Sequence, residues 1–162
     1  MSNSGNKEKL QAFIKFLQEN AMINASSAEE SREASAASRM KLQKLAFLAK
    51  KFGFDLGYKY SMVGNGPYSH ELARDSYAIN YEASASVKKF GGFDEINFLY
   101  FFKGRDEKWL DIVAAASDLA EGEAGEDLNR IIELTSGIKH SYSREYIACV
   151  IGEAKDVIFW KK

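Results

Sequence analysis

The sequence predicts a mainly α fold: a single helical domain over residues 1–162 that carries one small two-stranded β-hairpin. Three observations lead there. Apolar residues recur at i, i+3, i+4 and i+7 through most of the chain. Only 58–63 and 85–90 have the short, aromatic and β-branched character of strands. Good capping residues and glycines stand at the ends of the periodic runs. With 162 residues, a hydrophobic fraction of 46% and 11 phenylalanines, the chain has enough apolar material for one core.

The elements follow in order. Residues 1–5 are expected to fray, and Asn6 is read as the cap of a first helix on the stripe Leu10, Phe13, Ile14 and Leu17, ending near Ala21. Residues 24–38 hold only Ala, Ser, Asn and charges, so they can bury little and are read as a polar Ala/Ser/Glu linker. The clearest helix spans 39–52 on Leu42, Leu45, Leu48, Ala49 and Phe52, with Gly53 as its stop. A short strand is read over 58–63, broken by Gly64-Asn-Gly-Pro67, which contains the sole proline.

Ser69 then caps a helix to about residue 82, with Glu71 in its first turn. Residues 85–90 are a second strand that pairs with 58–63. Asp94 opens a buried helix over 96–102. Three further helices follow over 106–120, 126–135 and 144–160, the last capped by Ser143.

Charge and cysteine content narrow the function classes. Twenty-two basic residues against 23 acidic ones give a net charge of −1, which excludes steering by net charge. The balance is uneven: 39–60 is basic and 105–133 is acidic. The single cysteine, Cys149, cannot form an intramolecular disulfide and is read as a small buried hydrophobe beside the last helix's stripe. A polar N-terminus without an apolar h-region and the absence of a long apolar run predict a cytoplasmic protein with no membrane association.

No catalytic site is predicted. One Cys and two His offer no zinc spacing, and His70 and His140 read as an exposed first-turn residue and a loop residue. The acidic stretch 118–127 lacks the alternating oxygen ligands of a calcium loop. Gly64-Asn-Gly66 is followed by Pro67 instead of the Lys-Ser/Thr of a phosphate loop. The expectation is no enzyme, no metal and no cofactor. Nucleic acid is the alternative partner: the helix over 39–52 carries Arg39, Lys41, Lys44, Lys50 and Lys51, and the order helix, helix, strand, helix, strand permits a winged-helix arrangement.

One stretch carries a family likeness. Met40-Lys-Leu-Gln-Lys-Leu-Ala-Phe-Leu-Ala49, Tyr58-Lys-Tyr60 and Gly66-Pro-Tyr-Ser-His-Glu-Leu-Ala73 resemble the Panacea domain, or SocA-like antitoxin family, and stand nearer its YwgA-like relatives. The resemblance implies a mainly helical fold with a small sheet, no catalytic activity, and, in the antitoxin branch, neutralisation of a toxin or its delivery to a protease. The chain departs from that branch in Tyr68-Ser69, in its first helix and in 24–38. Binding is therefore expected around Lys41, Gln43, Lys44, Tyr60, Gly66, Pro67, Tyr68, Ser69 and Glu71. Read physically, the same residues form a structural knot. Gly66 permits a turn, Pro67 fixes φ, Ser69 caps a helix, and the Gln43 amide bonds the turn backbone where the two pack together.

Overall fold

The computed structural model describes residues 4–23, 32–62, 66–78 and 86–160. Within them, helices α1 (Ser4–Glu19) and α2 (Arg32–Ala49) come first, and a 3-10 turn (Lys50–Phe52) extends α2. A hairpin of β1 (Ser61–Met62) and β2 (Pro67–Tyr68) precedes α3 (His70–Tyr77). A 3-10 turn (Val87–Lys89) leads to α4 (Glu95–Phe102), and α5 (Glu107–Glu121), α6 (Leu128–Ile138), α7 (Arg144–Glu153) and α8 (Lys155–Ile158) complete the chain. The mainly α reading with one small hairpin holds.

Helix α5 is the axis of the fold. Every residue from Trp109 to Ser117 is buried, because α2, α6, α7 and α8 all pack on it. A helix covered on all sides needs small residues where neighbours approach closest, and Ala114, Ala115 and Ala116 supply them. Around its N-terminal end lies an aromatic cluster. Phe98 of α4 meets Phe13 and Phe16 of α1, Phe52 beyond α2, Phe93 and Phe102, with ring centroids 4.9–6.0 Å apart.

The caps predicted at Ser69, Asp94 and Ser143 form, and Asp106 and Asp127, read from sequence as the first turns of their helices, are caps as well. Each side chain accepts from the backbone N–H three residues on, which satisfies a donor the helix leaves open. Gly53 stops the extension of α2 at φ +89°, a conformation that glycine takes without steric cost.

Several expectations are corrected. The hairpin is local: Ser61 pairs with Tyr68 and Met62 with Pro67, and among the described residues of 58–63 and 85–90 no pairing between the two segments forms. Residues 87–89 form a 3-10 turn capped by Ser86, not a strand; the hairpin lies wholly before α3, and among the described residues no strand follows α3. Residues 32–38 are not linker. They are the first turns of α2, since extending a formed helix through Ala, Glu and Arg costs far less than nucleating one. The rest of that segment, 24–31, lies outside the described residues, as do 63–65, 79–85 and 1–3 of the expected strands, helix end and frayed terminus. Asn6 lies within α1, which starts at Ser4, and so does not cap it.

The α4 segment is helical but not buried throughout: Phe98 and Phe102 are inside while Ile96 and Tyr100 are 82% and 78% exposed. The final helix breaks at Ala154 into α7 and α8. Cys149 is exposed, not buried. The buried stripe of α7 runs through Ile147, Val150 and Ile151, and position 149 is two residues, about 200°, from Ile147. The lone thiol is therefore expected to react with a disulfide reagent in the folded protein at the rate of the denatured chain within about an order of magnitude. Protection in the native state would contradict that placement.

Candidate functional site

The residues singled out by sequence divide into an inner layer that fixes a turn and an outer layer that the turn presents. Gln43 and Lys44, at the middle of α2, form the inner layer. The Gln43 amide donates to the Ser69 carbonyl (2.8 Å) and accepts from the Ser69 N–H (2.9 Å), a two-point clamp on the backbone. Lys44 donates from Nζ to the Pro67 carbonyl (3.1 Å). Gly66 sits at φ +95°, a conformation that favours glycine, and a Cβ there would lie 3.2 Å from Lys139 Nζ, close enough that the lysine would have to give by a few tenths of an ångström. Ser69 turns its hydroxyl to the Leu72 N–H (3.1 Å) and starts α3.

Beneath the turn lies a buried charge cluster. Asp111 of α5 holds Lys139 at 2.7 Å and Lys44 at 3.5 Å through Oδ1, and its Oδ2 accepts from the Tyr142 hydroxyl at 3.2 Å. The side chains of Lys44 and Lys139 are 1% and 2% exposed. Burial pushes the Lys44 ammonium below the ordinary lysine range; Asp111 opposes that shift and Lys139 reinforces it. The Tyr142 phenol is pushed up to about 12, by burial first and then by Asp111. Two lysines sharing one carboxylate tie α2, α5 and the end of α6 to the turn. The lysine placed by sequence on a basic binding face is thus an internal tie.

Tyr58 and Tyr60 approach α3 and α2 from the extended segment before β1. Tyr58 is buried and donates to Asp75 Oδ2 of α3 (2.8 Å); its phenol is raised by burial and by that carboxylate. Tyr60 packs edge-to-face on Phe47, one turn along α2 from Gln43, with centroids 5.2 Å apart, and burial raises its phenol as well.

These shifts give a pH dependence of definite sign. The folded chain releases the Lys44 proton more readily than the unfolded chain does, so this group's penalty eases as pH rises toward 10.5. The three phenols behave oppositely. The unfolded chain ionises them near pH 10 while the folded chain holds them neutral, so their contribution is complete below pH 10 and is lost above it. Alkaline unfolding is expected to begin above pH 10. Tyr58→Phe is expected to make the decline shallower, as read from phenolate absorbance and denaturant midpoints across pH 8–12.

The outer layer is a groove between α2 and α3. Ala36, Met40 and Leu42 of α2 form one wall, Leu72 and Ala73 of α3 the other, enclosing about 190 Å³ over Gln43 and Ser76. Tyr68, half-buried, and Tyr77, 71% exposed, stand at its rim. The Arg39 guanidinium lies over the Tyr77 ring, 5.3 Å from its centroid. His70, exposed as expected, stacks edge-on against Tyr68 at 5.1 Å.

The structure therefore brings Gln43, Lys44, Gly66, Pro67, Tyr68 and Ser69 together. Glu71 lies in the first turn of α3, where its charge suits the helix N-terminus. Lys41, two positions from Gln43, faces the far side of α2 and lines a separate depression with Arg105 and Asp106. Sequence reasoning missed Asp111, Lys139, Tyr142, Asp75 and Tyr77, and placed Arg39 only on the basic face of the helix over 39–52. For Asp111 a signal existed: between Trp109 and Ser117 the helix offers no polar face for a carboxylate to lie on. Lys139, just beyond α6 in a polar segment, gave none. Among the described residues no helix is long and apolar enough to cross a membrane. No family model, no curated protein and no solved structure matches the chain.

Proposed function

We propose that the protein is a non-enzymatic protein-interaction module, antitoxin- or adaptor-like, that acts in the cytoplasm and contacts its partner around the Gly66–Ser69 turn. The observation that carries this reading is a rigid turn with an aromatic rim. Gln43 and Lys44 fix the turn backbone from inside, and Tyr68 and Tyr77 with Arg39 border an apolar groove outside. Tyrosine and arginine on a fixed backing are the side chains that dominate binding energy at protein interfaces, because they bring large contact area at low entropic cost. The Panacea-like motif falls on the same elements. The buried ionisable groups Lys44, Asp111 and Lys139 are engaged with one another behind the turn, which favours a structural role for them.

The test is an affinity pull-down from the native host with and without nuclease. A stoichiometric protein that survives nuclease and is lost with Tyr68→Ala supports the reading. Partners that vanish with nuclease would transfer the role to nucleic-acid binding. That alternative draws less from the geometry, because Lys44 is internal and Lys51 is tied to the Ile158 carbonyl (2.9 Å) and to Glu121.

A further inference from the structure

From the outer face of α4 we infer that the protein forms a weak two-fold dimer, in which α4 of one copy lies antiparallel on α4 of a second copy of this chain. Composition argues first. Residues 96–102 are Ile, Asn, Phe, Leu, Tyr, Phe and Phe, and the one polar side chain, Asn97, is spent on the Asp94 cap (2.7 Å). A helix that is apolar on every side belongs in an interior, since its outer half otherwise stays in water. The core takes only the Phe98 and Phe102 side of α4. Ile96 and Tyr100, at i and i+4, are left exposed as neighbours on the outer side. Half-buried Leu99 and Phe101 flank them, with the Tyr100 and Phe101 rings 5.1 Å apart. A single exposed apolar side chain is ordinary, but here they adjoin and no charged residue stands among them.

Charge selects the occupant. Glu95 stands at the start of this face and Lys103 just past its end, and among the described residues neither side chain is engaged in an ion pair. A face with an acid at one end and a base at the other is complementary to itself turned end for end. A two-fold axis near position 98 sets Ile96 of each copy against Tyr100 of the other. Lys103 of one copy then falls two residues, about 3 Å of helix rise, from the level of Glu95 in the other, which a lysine side chain spans. Both charge pairs form together, because the two-fold axis repeats every contact. An eight-residue helix is only about 12 Å long, so the contact is small and the monomer predominates in dilute solution.

The test is sedimentation equilibrium of the full chain from about 10 µM to about 1 mM protomer, a range that spans weak association. The expected result is a monomer–dimer equilibrium that stops at two copies, since an isologous contact closes on itself. Ile96→Asp is expected to weaken the dimer about tenfold or more by placing a charge at its apolar centre. Glu95→Lys and Lys103→Glu are each expected to weaken it about threefold or more, because each change turns two attractions into repulsions. Mixed in equal amounts, these two charge variants are expected to associate with each other about as tightly as the parent chain does with itself. Circular dichroism checks that each variant is folded, and Tyr100→Ser replaces Ile96→Asp where the latter is not.

A chain that stays monomeric to about 1 mM would overturn the inference, as would assembly that continues past the dimer or a dimer indifferent to Ile96→Asp. So would charge variants that associate no better mixed than alone, since that contact would not be antiparallel. A monomeric chain whose nuclease-resistant native partner is lost with Ile96→Asp would give the face to another protein and overturn the dimer as well. The dimer does not rest on the interaction reading, which uses the Gly66–Ser69 turn and is tested by Tyr68→Ala.

Discussion

Phe98→Ala is expected to lower the unfolding free energy by about 3–5 kcal/mol, the range for truncating a buried phenylalanine. Phe98 is fully buried and its ring contacts come from four separate parts of the chain: α1 (Phe13, Phe16), the end of the α2 extension (Phe52), the segment before α4 (Phe93) and α4 itself (Phe102). Removing it costs the transfer energy of the ring and leaves a cavity that no single neighbour can fill, because those rings are held by different elements. Edge-to-face contacts at these distances add about 0.5–1.5 kcal/mol each beyond area burial. Phe98→Leu keeps most of the volume and should cost distinctly less. Ile96→Ala, two residues away and 82% exposed, should change stability by no more than about 0.5 kcal/mol. Urea titrations of the three variants check this order; equal effects at 96 and 98 would mean that α4 is not seated by its Phe98 face.

That contrast within α4 also shows what the sequence could and could not convey. Apolar character in 96–102 identified a helix, and Asp94 identified its start, because local chemistry decides both. Apart from Asn97, which bonds back to Asp94 at the cap, the residues of 96–102 are aromatic or aliphatic on every side, so nothing local said which face would be covered; Phe98 and Phe102 are inside because α1 and Phe52 meet that side. Helix caps were legible for the same local reason. The hairpin was not: a turn around Gly66 and Pro67 lets β1 pair with the residues immediately after it, and the alternation in 58–63 looks the same whichever strand answers it. Residues 32–38 misled because composition measures how much a segment can bury, whereas here it is carried as an extension of a helix anchored further on.

The candidate site divides along the same line. Gln43 could be read from sequence as an amide facing the turn, since its neighbours Leu42 and Leu45 fix that helix in the core and place the amide beside Ser69. Lys44 reads as one more surface lysine until its partners are known, and these come from α5 and from beyond α6. A charge becomes internal only when distant chain segments close over it. The tie between Lys44 and Asp111 spans 67 positions, more than any local pattern can hold.

Asp111→Ala is accordingly expected to be as costly as Phe98→Ala, about 3–5 kcal/mol at neutral pH, by a different mechanism. The substitution leaves the ammonium groups of Lys44 and Lys139 buried near each other without the carboxylate that both contact, and deprives the Tyr142 hydroxyl of its acceptor. The sign with pH separates this from a cavity. With Asp111 gone, Lys44 loses the carboxylate that opposes its downward shift, so the native state sheds the Lys44 proton more easily still, while the unfolded chain keeps it up to about pH 10.4. The variant binds fewer protons folded than unfolded, so its deficit must shrink as pH is raised from 7 toward 10. A cavity would leave the deficit constant. Asp111→Asn, which keeps an acceptor but not the charge, should lie between Asp111→Ala and the parent protein. Replacing the whole cluster, as Lys44→Met with Asp111→Leu and Lys139→Met, should recover most of the loss, since a buried ion cluster is worth little net against well-packed apolar side chains. Denaturant titrations of these variants at pH 7 and pH 9.5 decide it: a deficit for Asp111→Ala that does not change between the two would show that the carboxylate holds the turn by packing and not by charge.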